Sequence, residues 1–271
     1  MKKVLLNLFL VVVVMGAIHI SLMVFGETRH KNAVSEALAG LQESNASKVS
    51  ASPKGPVAIY LQRVGNPETS LLRYPLYIHL RPKVTGSWLE GEGSLLLNSG
   101  APGFLLEGRL ASNGLVWFGT IDRMAGEQAS QNIRLFGMIP MLERDDTPLM
   151  QWELVHYLLF APLDPGIVKH IRWVSVDPAH ATGCLESSGV RVCGIVTFHP
   201  ETGLIQRIET EDGLHLNKDH ISPGKIRAVY DAYETIRGIK IPTAIRFEWL
   251  QEEAVPFALY RIETADIVTK Q

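Results

Sequence analysis

Residues 103–121 read GFLLEGRLASNGLVWFGTI, two runs rich in Leu, Phe, Val and Trp around Ala111-Ser112-Asn113-Gly114. So short a turn leaves no room for a crossover, and the two runs are expected to pair antiparallel. The same grammar of short apolar runs bounded by Gly, Pro, Asn and Asp extends outward from there. It predicts strands at Tyr74 to Leu80, Gly93 to Leu97, Gly103 to Leu110, Leu115 to Ile121, Ile133 to Met138 and Ile171 to Asp177. Further strands are predicted at Val190 to Phe198, Leu204 to Glu209, Lys225 to Thr235, Ala244 to Leu250 and Ala258 to Ile267. Ser188-Gly189 and Pro200-Glu201-Thr202-Gly203 supply further turns. The expected fold is mainly β with few helices (α+β): a curved antiparallel sheet or half-barrel covered by helices, preceded by one transmembrane helix.

One helix interrupts the strands. Thr147 is a suitable N-cap and Pro148 a suitable first residue, and Leu149, Trp152, Val155 and Leu159 share the segment with Met150, Leu154, Tyr157 and Leu158. A helix apolar on most faces has to be buried, and the concave side of the sheet is its natural place. Pro162 and Pro165 end it. A shorter helix starts at Pro56 and stops before Gly65, with Val57, Tyr60, Leu61 and Val64 as its apolar face.

Residues 4–25 carry no charge, and only Asn7, His19 and Ser21 interrupt them with clearly polar side chains. As a helix this stretch is about 33 Å long against a hydrocarbon core of roughly 30 Å. Lipid leaves a lone β-strand unsatisfied, so the valines do not argue against helix. A cleaved signal peptide is the competing reading. The run exceeds the usual h-region, and Met23-Val24-Phe25-Gly26-Glu27 lacks an A-x-A-like site. Lys2 and Lys3 precede the run, whereas Arg29 and Lys31 follow it beside Glu27, a small bias toward a cytoplasmic N-terminus. The chain accordingly divides into an anchor (1–26), a helix and flexible linker (27–55) with Val34, Leu38 and Leu41 at helical spacing, and a β-rich periplasmic or extracellular domain (56–271).

With 26 basic and 28 acidic residues the chain lacks the positive field that sequence-independent nucleic-acid binding requires. No G-x-S-x-G, H-E-x-x-H, P-loop or dinucleotide fingerprint occurs. Glu153 and His156, at i and i+3, have the spacing of half a di-iron carboxylate site, but the facing half is missing. Asp177 and His180 flank Pro178 as an acid-base pair or an ordinary turn. His215, Asp219 and His220 form a polar loop. No metal or cofactor is expected, and catalysis has no recognisable motif. An envelope hydrolase using His180, Glu153 or the His215 loop remains an alternative, as does a purely structural protein-interaction role.

The two cysteines follow from the turn at Ser188-Gly189. If it has two residues, Ser187 faces Val190, Glu186 faces Arg191, Leu185 faces Val192 and Cys184 faces Cys193. That last pair falls at a non-hydrogen-bonded position, where Cα atoms approach to about 4.5 Å and a disulfide fits. Two buried thiols are the alternative.

The order PVAIYLQRV, APGFLLEGRL, IRLFGMIPM, WELVHYLLFAPLDPGIV, HATG, VTFHPETGLIQRIET and GIKIPTAIRFEW, across residues 56–267, resembles an uncharacterised bacterial family of membrane-anchored proteins. The fold resembles the lipoprotein-carrier (LolA/LolB-like) half-barrels. Where that family has an acidic residue after the buried helix, this chain has Phe160. The resemblance implies an apolar cavity between the concave sheet face and the helix from Pro148 to Phe160, with a lipid or lipoprotein as partner. Phe104, Leu106, Trp117, Trp152, Tyr157 and Trp173 are the expected lining, each of them otherwise plain core.

Overall fold

The computed structural model describes residues 2–42, 53–65, 71–81, 87–111, 116–216, 221–264 and 266–267. Four α-helices are present among these: α1 (Lys2–Gln42), α2 (Pro56–Val64), α3 (Thr147–Leu159) and α4 (Pro165–His170), with a 3-10 turn at Ala161–Leu163. The strands before α3 are β1 (Leu71–Leu80), β2 (Leu89–Asn98), β3 (Gly103–Ala111), β4 (Trp117–Ala125), β5 (Gln128–Leu135) and β6 (Ile139–Arg144). Those after α4 are β7 (Arg172–Val176), β8 (His180–Ser187), β9 (Val190–Phe198), β10 (Ile205–Leu216), β11 (Ile221–Ile236), β12 (Ile239–Leu250), β13 (Ala254–Ile262) and β14 (Asp266–Ile267).

All of them join one antiparallel sheet in the order β6-β5-β4-β3-β2-β1-β13-β12-β11-β10-β9-β8-β7, with β14 added to β1. Two meanders are thus zipped together by the pairing of β1 with β13. The sheet curls until its two halves touch: Ser187 and Ser188, at the β8–β9 turn, donate their hydroxyls to the carbonyls of Gly126 and Glu127 at the β4–β5 turn.

The helix α3 lies in the concave side, and Leu149, Leu154, Val155, Leu158 and Leu159 are all at or below 1% exposure there. Its N-cap is Asp146, which accepts from Leu149 N at 3.1 Å; Thr147, expected to cap, is already the first helical residue. Buried tyrosines fix the segment after it. Tyr230 donates to Leu159 O at 2.6 Å, Tyr74 to Leu163 O at 2.6 Å and Tyr60 to Pro162 O at 3.2 Å. Asp164 caps α4 through Gly166 N and accepts from Ser99 Oγ, both at 2.7 Å. Burial raises its pKa to about 6. Phe160 packs among Phe104, Phe247 and Tyr260, which leaves that position no polar role.

Two expectations are corrected by the strands. Ile133 to Met138 is not one strand, because the chain reverses at Phe136-Gly137-Met138 and returns as β6. His180 to Ser187 is a full strand, of which the hairpin register anticipated only Cys184 to Ser187. The Ser188-Gly189 turn has φ of 52° and 74° at its two residues, the type I′ requirement, and sets the β8–β9 register. Cys184 and Cys193 stand opposite each other with Cα atoms 4.1 Å apart and are joined as a disulfide. Cys193 N, pointing away from β8, donates to the Asp212 carboxylate at 2.6 Å.

The N-terminal helix is longer than the anchor and the helix around 34–41 read separately, since both belong to the single helix α1. It is long and apolar enough to cross a membrane, with a mean hydropathy of 2.4 in its best window. Phe9, Ile20 and Phe25 are 66%, 64% and 68% exposed. Its later turns dock on the convex face of the sheet, where Ala33, Val34, Ala37, Leu38 and Leu41 cover Leu71, Leu96, Leu105 and Ile121. Asn98 donates to Leu41 O at 3.3 Å. Strands β2, β3 and β4 are therefore buried on both faces, which accounts for the unbroken runs Leu95-Leu96-Leu97 and Phe104-Leu105-Leu106. Most of the expected linker, 43–52, and the tip of the β3–β4 turn, 112–115, lie outside the described residues.

Candidate functional site

Alternation along β3 and β4 sends Leu106, Leu110, Thr120 and Asp122 into the concave side, facing α3. There they border an open cavity of about 210 Å³, walled also by Trp152 of α3, by Trp249 and Phe257 across the sheet, and by Ile133 and Leu142 of the β5–β6 hairpin. Its aromatic wall is continuous. Trp152 stacks on Trp249 at 5.8 Å, and Trp249 stacks on Phe257 at 4.8 Å between ring centroids.

Polar groups with unpartnered atoms line the cavity at Asp122 and His156 and lie behind it at Glu153. Glu153 is fully buried, and neither carboxyl oxygen has a hydrogen-bond partner. His156, a lining residue, places Nδ1 3.3 Å from Glu153 Oε2 without the geometry of a hydrogen bond. Asp122 approaches from β4 with Oδ1 buried and unpartnered. Burial raises the pKa of Glu153 well above the usual carboxylate range. Burial, and then the charge of Glu153, lift that of Asp122 to about 7. Burial lowers His156 to about 4, against an opposing pull from Asp122. Despite the short contact, burial thus favours the uncharged form of both Glu153 and His156, and the pull of Asp122 on the imidazole opposes it only in part. Such groups offer hydrogen bonds to a ligand at the base of an apolar space.

Of the residues expected in the lining, the structure brings Leu106 and Trp152 to the cavity. Phe104 and Tyr157 lie in the packed core instead. Phe104 sits behind His156 at 6.4 Å, and Tyr157 donates to Asn98 O at 3.2 Å. Trp117 is on the opposite face of the sheet, its Nε1 donating to Met23 Sδ at 3.1 Å, because it is one residue out of phase with Phe118 and Thr120. Trp173 packs on Gly183 at the β7 edge.

Asp177 and His180 form a solvated turn: Asp177 Oδ1 accepts from Ala179 N at 2.8 Å and His180 N at 2.7 Å. These backbone bonds lower the Asp177 pKa. The structure does not bring His180 to Glu153, which is fully buried on α3. His215 lies at the cavity rim with its ring 3.8 Å from that of Trp249, whereas Asp219 and His220 fall outside the described residues. Among the described residues no group of three or more His, Cys, Asp or Glu side chains is arranged to hold a metal ion. Sequence reasoning missed Asp122 and Phe257. The only sequence signal for Asp122 is its in-phase position with Phe118 and Thr120 on a strand.

A larger groove of about 460 Å³ lies at the seam between the β4–β5 and β8–β9 turns, bordered by Arg123, Glu127, Asp145 and Asp146. Its charged walls suit solvent better than an apolar ligand.

A family model described as "Family of unknown function (DUF6544)" matches residues 45–259. No curated protein matches the chain. Among solved structures, the chain is similar to a DUF1329 family protein from Desulfovibrio piger ATCC 29098, at 11% identity and a TM-score of 0.44, covering 78% of this chain and 91% of that one. It is also similar to a LolA superfamily protein from Nitrosomonas europaea, at 11% identity and a TM-score of 0.45, covering 81% and 96%.

Proposed function

The chain belongs to DUF6544, a family of unknown function, and from its own geometry we propose that it is a membrane-anchored, non-catalytic module that holds the apolar part of a lipid or lipoprotein acyl chain. The observation that carries this reading is the cavity under α3, with Leu106, Leu110, Trp152, Trp249 and Phe257 as walls. At about 210 Å³ it is smaller than the roughly 300–1,000 Å³ of sites for drug-sized molecules, and so takes a chain segment rather than a whole lipid.

Anchoring supplies the ligand. The uncharged segment 4–25 keeps the domain beside a bilayer, and Lys2 and Lys3 orient the N-terminus toward the cytoplasm, with the domain periplasmic or extracellular. Native mass spectrometry of the full chain released from nanodiscs is expected to retain a bound lipid on the wild type. Leu106→Trp fills the space and is expected to reduce the lipid-bound fraction by about tenfold, a loss of roughly 1.4 kcal/mol in affinity. Equal retention by the wild type and Leu106→Trp contradicts binding at this cavity.

A further inference from the structure

Contacts between α1 and the sheet begin inside the apolar segment of the helix. His19 meets Phe136 edge to face with ring centroids 6.0 Å apart. Four residues later Met23 accepts from Trp117 Nε1, and at Gly26 the helix lies so close to Phe136 that an added Cβ would overlap the Phe136 carbonyl oxygen. The uncharged run continues to Phe25. At 1.5 Å per residue, His19 stands roughly 9 Å deeper than Phe25 along the helix axis. A group packed against His19 shares that depth.

Phe136 belongs to the turn of the β5–β6 hairpin, and residues 135–142 read LFGMIPML, without a charged, hydroxyl or amide side chain. Ile139 and Met141 are 48% and 50% exposed, and Pro140 is exposed between them. On an edge strand facing water, such a tip invites pairing with another chain. Charge resumes immediately on both sides: Arg134 pairs with Glu143 across the hairpin. Arg109 lies over the Trp117 ring at 4.7 Å and 3.9 Å from the Glu27 carboxylate. An apolar tip topped by Trp, Arg and ion pairs has the order of side chains found from hydrocarbon to headgroups.

We propose that the β5–β6 tip, Leu135 to Leu142, inserts into the bilayer beside the last turns of the α1 span, placing the lipid leaflet against the cavity. The inference rests on residues 4–25 spanning the membrane. Its partner is lipid rather than a second protein because the tip is continuous with the lipid-facing part of α1. Ile133 and Leu142 belong both to this hairpin and to the cavity lining, so an acyl chain passes from leaflet to cavity along one apolar surface.

The test uses the full chain in phosphatidylcholine–phosphatidylglycerol vesicles, with Val12→Cys, Glu36→Cys, Ile139→Cys or Met141→Cys carrying an environment-sensitive fluorophore. Labels at 12, 139 and 141 are expected to be quenched several-fold by spin-labelled lipid, and the label at 36 only by aqueous iodide. Lipid quenching at 12 with iodide quenching at 139 and 141 overturns the insertion while leaving the anchor in place. Shielding of 139 and 141 from both quenchers means that protein covers the tip, and also overturns it. Absence of lipid quenching at 12 removes the span, and the insertion with it.

Discussion

Glu153→Met is expected to stabilise the protein at pH 7 by about 1–3 kcal/mol, because it replaces a buried, unpartnered carboxyl with an apolar side chain of similar length. The wild-type residue is fully buried, with neither oxygen hydrogen-bonded and the His156 ring 3.3 Å away. The gain depends on pH with a definite sign. The folded-state pKa of Glu153 is raised, so the folded protein binds more protons than the unfolded chain once pH passes the ordinary carboxylate value. Stability contributed by this group is present below about pH 4.5 and is lost as pH rises toward the folded value. Asp122, raised to about 7, acts in the same direction, while His156, lowered to about 4, acts in the opposite one between its folded value and 6.5. Denaturation of the wild type and variant at pH 4.5 and 7 therefore yields a difference that grows with pH. A pH-independent difference, or destabilisation by Met, would mean that Glu153 is satisfied in the folded state.

Removing the disulfide is expected to cost a similar amount in the other direction. Cys184 and Cys193 are nine residues apart, and a loop that short contributes roughly 2–3 kcal/mol by restricting the unfolded chain. The double variant Cys184→Ala/Cys193→Ala should show a correspondingly lower denaturation midpoint, and reductant should shift the wild type by the same amount while leaving the double variant unmoved. Insensitivity of the wild type to reductant, or alkylation of both thiols without reduction, contradicts a closed bridge.

The cystine hairpin was legible because a two-residue turn with two left-handed residues permits one register, and counting outward from Ser188-Gly189 brings the cysteines together. The β5–β6 reversal was not, because its left-handed residues are Phe136, at φ 52°, and Gly137. An aromatic residue carries no turn signal. Docking of α1 left a trace that alternation alone does not interpret: Leu95-Leu96-Leu97 and Phe104-Leu105-Leu106 need cover on both faces, and the cover comes from a helix more than fifty residues earlier in the chain. The cavity was legible in part. Trp152 follows from the burial of α3 and Leu106 from strand phase, but the same phase argument places Trp117 outside, against Met23 and His30. Asp122 meets Glu153 and His156 only through the curl of the sheet, and a local pattern does not encode that proximity.

The central claim is that an acyl chain occupies the cavity beneath α3, and the most direct measurement is photo-crosslinking of the full chain in nanodiscs containing a phospholipid with a diazirine on its acyl chain. Crosslinked peptides are expected to map to Leu106, Leu110, Trp152 and Trp249 as well as to the exposed face of α1, with the cavity sites lost in Leu106→Trp and those on α1 retained. Crosslinks confined to α1 and the hairpin tip, with none at the cavity residues, would contradict the claim.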